Sequence, residues 1–478
     1  MDKSSIIFGN PIPNKTIKKA NKSKKKYIKA FGDDTNVDYY LKPVPIDTLD
    51  FISTSNLVLS DHEETLPGKP LIVGNIRMGF GHYRISIAIA SCAKALGYDP
   101  YWLDLASLDT TGSKMIRKQN NMYSLASRIS QKSKLFNKII WEPLNSEGFK
   151  KITYNAVDQK NSELLAPIFK HLDKVIPYVA THVWPSQGAI HGGMKHVVNA
   201  IPDNWAMGLH LSEGAIHVVQ TPFAYLGYKT LNGFAKKPLK GLPASDLKMV
   251  GCYIDHELLV NLKEDNELRI KRLQNDHMRI LLTVGGAGAG GDMFTAMIKH
   301  LLPLVKEGRV SLFINFGDHL TVYEKMKKEI KDFNPICFFD EYDKFKELVN
   351  NLRTNDNKGI YAIYNKDIFK AVYSTNLIMK ECDLLITKPG ELAYYPIPKL
   401  FMKHIGGHEV YGAIHSQEFG DSTFECPTKE SICNMLDRLI DDKEIMYELI
   451  KNINKLNDEH YYDGAYKAVK LAAGTYEE

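Results

Sequence analysis

No stretch of the 478-residue chain approaches the roughly 18–20 apolar residues that a bilayer-spanning helix needs, and the lysine cluster near Met1 has no apolar core behind it. The sequence therefore reads neither as a spanning membrane protein nor as one exported through a standard signal peptide. Cysteine is scarce. Cys92, Cys252, Cys337, Cys382, Cys426 and Cys433 show no CxxC spacing, which argues against a disulfide framework or a zinc ribbon and makes a reducing, cytoplasmic compartment the expectation. Glycine (33) and proline (21) are near average and no 20–50-residue period recurs, so collagen-like and solenoid classes are excluded. Net charge is also small, +5 from 61 basic and 56 acidic residues, too little to suggest wholesale nucleic-acid binding. Its placement is uneven: residues 1–30 hold nine lysines and one acid, Asp2, leaving the remainder at −3.

At roughly 100–200 residues per domain, the length predicts two or three domains. From Lys69 onward a unit repeats: a short apolar run, a glycine turn, then a segment of helical period. The first is Pro70–Asn75, then Arg77–His82, then Arg84–Leu96 with Ile85, Ile89, Cys92 and Leu96 on one face. Further strands are expected at 100–103, 179–183, 195–199 and 217–220, with helical pattern dominating 113–177. A second cycle opens with Met278–Val284, Gly285–Gly291 and a helix over Asp292–Lys306, followed by strands at 310–316 and 383–387. The predicted class is α/β, with two doubly wound Rossmann-like domains facing a central cleft.

Four places in this pattern carry chemistry. The loop 285–291, with Gly285, Gly286 and Gly288, lets backbone N–H groups approach an anion at a helix N-terminus, so phosphate is its natural ligand. It also matches the dinucleotide fingerprint. No acid lies about 20 residues on, however, since Asp318 follows Gly291 by 27 residues, and no Walker lysine is present. Thr387-Lys388-Pro389-Gly390-Glu391 places a cation and an open turn at a strand's carboxyl edge, and Gly407-His408-Glu409 forms a second short loop. Glu391 and Glu409 are candidate acceptors for sugar or ribose hydroxyls. Gly79-Phe80-Gly81-His82 sets a histidine at a helix start, where the dipole favours the neutral imidazole of a general base. Asp203, in Ile201-Pro202-Asp203-Asn204-Trp205, is a carboxylate on a loop after a strand. His182, His191 and His196, or His404 and His408, lack metal-motif spacing, so no metal site is expected.

Together these motifs resemble the GT-B glycosyltransferases, in the branch of the lipid II-forming N-acetylglucosaminyltransferase, the galactolipid synthases and the diacylglycerol glucosyltransferases. The matches run in family order: Met78–Tyr83, Val197–Trp205, Val250–Tyr253, Leu281–Gly288, Lys388–Gly390 and Gly407–Glu409. Tyr395, Pro396 and Ile397 stand where the family usually carries a ribose-binding glutamate, and His408 replaces a glutamine.

The resemblance implies metal-independent, inverting transfer of a sugar from a nucleoside diphosphate, a UDP-sugar, to a hydroxyl acceptor, with no further cofactor. Gly285, Gly286, Gly288, Lys388, Gly390, Glu391, His408 and Glu409 would bind the donor. Gly79 and Gly81 would form the acceptor-side loop, and His82 or Asp203 would take the acceptor proton. The implied domains are a basic extension at 1–67, an acceptor-side domain at 68–255, a donor domain at 275–425 with an insertion at 340–376, and C-terminal helices at 426–478. Because relatives of this branch use lipid acceptors, Lys15–Lys29 is expected to address an anionic membrane surface, with Ile17, Ala20, Tyr27, Ile28 and Phe31 loosely on one helical face. Two other classes compete: a non-catalytic nucleotide-sugar or lipid-binding protein on this scaffold, and an NAD-dependent oxidoreductase. A related scaffold also serves UDP-sugar 2-epimerases.

Overall fold

The computed structural model describes residues 2–77, 79–132, 143–284, 291–355, 357–404 and 407–477. Eight strands form the first sheet: β1 (Tyr40–Pro45), β2 (Ser55–Ser60), β3 (Pro70–Asn75), β4 (Asp99–Asp104), β5 (Tyr178–Ala180), β6 (Val197–Ala200), β7 (Ile216–Val219) and β8 (Leu247–Met249). Their order is β8-β7-β6-β5-β3-β4-β2-β1, parallel throughout except for the edge pair β1–β2. The second sheet has β9 (Met278–Thr283), β10 (Val310–Asn315), β11 (Ile336–Phe339), β12 (Ile360–Tyr364), β13 (Leu384–Thr387) and β14 (Lys399–Phe401), in the all-parallel order β11-β12-β10-β9-β13-β14. Central strands such as Leu71-Ile72-Val73 and Ile280-Leu281-Leu282 are fully buried because helices cover both sheet faces. That is why they read as unbroken apolar runs. In each sheet the winding reverses beside the strand that opens its cycle, β3 or β9. Ligands bind α/β sheets at the carboxyl edge of such switch points.

The chain passes between the two units twice, and the two passages bond to each other. Cys252 N–H donates to the Tyr461 carbonyl (2.8 Å), and Gly464 N–H donates to the Cys252 carbonyl (2.9 Å). Gly251 is required here, since its φ is +86° and a Cβ would lie 2.1 Å from the Tyr461 oxygen. After this crossing the helix Gly464–Ala472 packs Ala465, Ala468, Val469 and Ala472 against the first unit's core, which includes Val73, Val198 and Val218.

Three of the expected boundaries differ from the structure. Residues 1–67 are not an extension: β1 and β2 complete the first sheet, and Ile7, Phe8 and Ile12 are core residues. The basic helix Asn14–Phe31 lies on the helix Ile152–Ser162, burying Ala20, packing Tyr27 and Ile28 on the core, and pairing Lys24 with Glu163 (2.6 Å). The amphipathic face expected to meet lipid is therefore occupied by the protein itself. Residues 340–376 are not an insertion, because they contain β12, hydrogen-bonded between β10 and β11. Its surroundings are rich in Asn, Asp and Lys, which masked a buried strand. Finally, the terminal helices divide: Lys429–Asp441 and Lys443–Asp458 pack on the second unit, and only Gly464–Ala472 returns to the first.

Candidate active site

Between the two sheets, strand ends from both units converge. β3 leads through a turn, opened by Gly79 at φ +81°, into the helix Gly81–Ala95, so His82 sits in that helix's first turn. Its Nδ1–H donates to the Thr181 carbonyl at the end of β5 (2.6 Å), which leaves Nε2 as the proton-accepting nitrogen. The His182 ring stands edge-on to it with centroids 4.9 Å apart, and His182 Nδ1 accepts the Trp184 N–H (3.2 Å). Burial pushes the His82 pKa below its ordinary 6.5, against the opposing Thr181 bond and the charges of Asp203 and Glu391. Desolvation thus leads where the sequence suggested a dipole effect. His182 is pushed further down, by burial and then by His82 and His210. Asp203, on the loop after β6, has Oδ2 3.3 Å from His210 Nε2.

The second unit contributes the end of β13. Lys388 ion-pairs with Glu409, whose side chain is only 10% exposed. Burial opposes the charge on Lys388, but Glu409, Glu391 and Asp203 outweigh it and hold its pKa above the usual lysine value. Gly390 lies beside this pair, a Cβ there falling 3.7 Å from Lys388 Nζ. Glu391 crosses the cleft instead of lining the donor side alone. A Cβ on Gly81 would sit 2.9 Å from Glu391 Oε2, and Glu391 Oε1 is 3.9 Å from Arg84 Nε. Gly81 is thus a close-approach glycine that admits a carboxylate to the positive end of the His82 helix. Gly285, Gly286 and Gly288 lie outside the described residues. His408 is placed by its backbone in the turn Gly407–Glu409.

The two units are also fastened together here. Arg84, 3% exposed, donates to the Val372 carbonyl (3.3 Å), Asn376 Oδ1 (2.7 Å) and Thr375 Oγ1 (3.1 Å) of the second unit. Tyr411 of the second unit stacks on both Trp205 (4.5 Å) and Phe223 (5.0 Å) of the first, which lie 6.1 Å from each other, and Asn204 Nδ2 donates to its carbonyl (2.8 Å).

The structure thus brings His82, Asp203, Lys388, Gly390, Glu391 and Glu409 to one cleft. It also adds His182, His210, Tyr123 and Arg84, which the sequence reading did not assign to the active site. Tyr123 is pushed up to about 12 by burial and by Asp203 and Glu409. His182 carried a usable signal, a histidine directly after a strand at the sheet's carboxyl edge. His210 and Tyr123 carried none, because distant chain segments place them. The histidines weighed as metal ligands do not gather: His191 bonds the Gln159 carbonyl (2.9 Å) and His404 bonds Glu425 (2.9 Å). Among the described residues, no three His, Cys, Asp or Glu side chains are grouped as a metal would need. No helix of the described residues is long and apolar enough to cross a membrane.

Two family models match the chain, both described as domains of unknown function: DUF6937 over residues 6–230 and DUF6938 over residues 242–473. No curated protein matches it. Among solved structures, it is similar to the UDP-GlcNAc 2-epimerase from Neisseria meningitidis bound to UDP-GlcNAc (12% identity, TM-score 0.46, 85% of this chain and 99% of that one). It is also similar to WaaG, a glycosyltransferase involved in lipopolysaccharide biosynthesis (13% identity, TM-score 0.43, 84% and 100%). A third is an α,α-trehalose-phosphate synthase (UDP-forming) from Burkholderia vietnamiensis (10% identity, TM-score 0.42, 86% and 100%).

Proposed function

We propose that the protein is a glycosyltransferase that moves a sugar from a nucleoside diphosphate, a UDP-sugar, to a hydroxyl acceptor with inversion. The observation that carries this reading is the pairing across one cleft of a neutral-tending imidazole with an accepting Nε2, His82, and a charged lysine at a strand end of the opposite unit, Lys388. Transfer to a hydroxyl needs both: a base for the acceptor proton and a fixed cation for the charge that develops on the leaving diphosphate.

In this reading, His82 Nε2 takes the acceptor proton as the acceptor oxygen bonds the anomeric carbon. The bond to the diphosphate breaks with its electron pair on the leaving oxygen. Lys388, held beside Glu409, and the loop 285–291 receive the diphosphate, and closure of the two units excludes water from the transfer. Asp203 supports the imidazolium electrostatically.

A donor screen by thermal shift tests the reading. A UDP-sugar should raise Tm at concentrations well above Kd, GDP- and dTDP-sugars should do less, and Lys388→Ala should remove the shift. Absence of any nucleotide-sugar shift overturns the transferase reading, and tighter binding of NAD than of UDP favours an oxidoreductase. Binding without turnover that is insensitive to His82→Ala and Asp203→Asn favours the non-catalytic scaffold.

The anionic-membrane partner also belongs to this proposal, in altered form. Lys15, Lys18, Lys19, Lys22, Lys25, Lys26 and Lys29 are all exposed on the docked helix, so attraction would be electrostatic at about 1 kcal/mol per lysine, without apolar insertion. Replacing these seven by Gln should abolish binding to anionic liposomes at moderate salt and leave the donor shift intact. Unchanged liposome binding rules the helix out as the membrane address.

A further inference from the structure

Behind Asp203 stands a row of polar contacts drawn from its own loop and from the helix Pro222–Thr230. Tyr228, on the helix Pro222–Thr230, is fully buried, and its hydroxyl oxygen accepts the Met207 N–H (3.2 Å). The same hydroxyl lies 2.8 Å from His210 Nδ1, and His210 Nε2 lies 3.3 Å from Asp203 Oδ2. Asn199 at the end of β6 holds the His210 backbone carbonyl (2.7 Å), and His210 is 7% exposed.

The proton positions follow from pairing donors with acceptors. The buried Tyr228 hydroxyl proton has His210 Nδ1 as its acceptor among the described residues, so it goes there. An imidazole that accepts at Nδ1 carries its hydrogen at Nε2, the nitrogen 3.3 Å from Asp203 Oδ2. A buried phenol therefore sets the tautomer, and the tautomer puts an N–H beside the carboxylate.

We infer that Tyr228 and His210 are positioning residues that hold the Asp203 carboxylate in place, so that its charge stabilises the imidazolium formed when His82 takes the acceptor proton. The inference rests on the transferase reading. No proton travels along the row: the acceptor proton stops at His82 Nε2 and leaves from there to solvent, while Tyr228 and His210 keep theirs. The titratable groups facing Asp203 are His82, His182, His210, Tyr123, Tyr228, Tyr394 and Lys388, so the row acts within a crowded field and its effect is one of positioning.

Tyr228→Phe in the full-length protein is the test, because it removes the donor to Nδ1 and keeps the ring. We expect kcat to fall about 10-fold with the donor KM unchanged, and the acid limb of the kcat profile to move to lower pH as His82 loses its positioned anion. With 15N-histidine labelling, the Nδ1 resonance of His210 should read as an accepting nitrogen in the wild type and lose that character in Tyr228→Phe. His210→Gln, whose amide can still donate to Asp203, should retain more activity than His210→Leu. Wild-type kcat and pH profile in folded Tyr228→Phe overturn the positioning role while the transferase reading stands. Parallel loss of kcat, donor KM and Tm overturns it in favour of a structural role. A wild type that binds a UDP-sugar and transfers nothing overturns the transferase reading itself.

Discussion

The bond from His82 Nδ1 to the Thr181 carbonyl commits one ring proton and reserves the other nitrogen for substrate, and burial depresses the pKa so that the ring is neutral near pH 7. A base must be unprotonated to act, so kcat/KM should be flat above about pH 7 and fall on the acid side with an apparent pKa below the ordinary 6.5. His82→Gln should lose about 10²–10⁴-fold in kcat and abolish that acid limb. An acid limb that persists in His82→Gln would assign the base elsewhere. His82 and Asp203 were legible as candidate site residues because each follows a strand of the repeating unit. Their partners Thr181 and His210 were not, since 99 residues separate His82 from Thr181 and only the sheet order makes β3 and β5 neighbours.

The segment that links the units has its own chemistry. Asp255 follows the paired crossing and is fully buried, with Oδ2 accepting from Asn376 (3.1 Å) and Tyr395 (3.3 Å). Burial, and then the charge of Glu257, push its pKa up to about 7. The folded value lies above the unfolded one near 3.9, so Asp255 favours the folded state in acid and loses that contribution as pH rises toward 7. Asp255→Asn should therefore gain stability relative to the wild type between pH 4 and pH 8, by roughly 2–4 kcal/mol at the upper end. Denaturant melts at the two pH values measure it, and an equal difference at both would show that the carboxyl does not titrate in this range. Tyr395 holds this carboxylate from the stretch where the resembling family carries a ribose glutamate, so in this chain that stretch faces the interdomain core.

The closed arrangement of the whole chain rests on contacts that neither unit makes alone. Tyr411 stacked on Trp205 and Phe223 is one of them, and it is two residues from Glu409, the partner of Lys388. Each aromatic pair is worth about 0.5–1.5 kcal/mol, so Tyr411→Ala should weaken closure by about 1–3 kcal/mol. The expected signs are a larger radius of gyration in solution scattering and a higher donor KM with little change in Tm. Unchanged scattering and KM would show that the clamp does not hold the cleft.

Local pattern alone determined the α/β class, the two cycles and the strand-end motifs, because a strand buried on both faces must be apolar along its length and its chain reversals need glycine. These are properties of a few neighbouring residues. Tertiary structure decided where the edges went. It placed β12 inside the sheet despite its polar surroundings, turned the apolar face of the basic helix onto the Ile152–Ser162 helix, and sent Glu391 across the cleft to Gly81 and Arg84. The reason is physical: helical or strand period records that a face will be buried, while the partner that buries it is set by contacts between residues far apart in the chain.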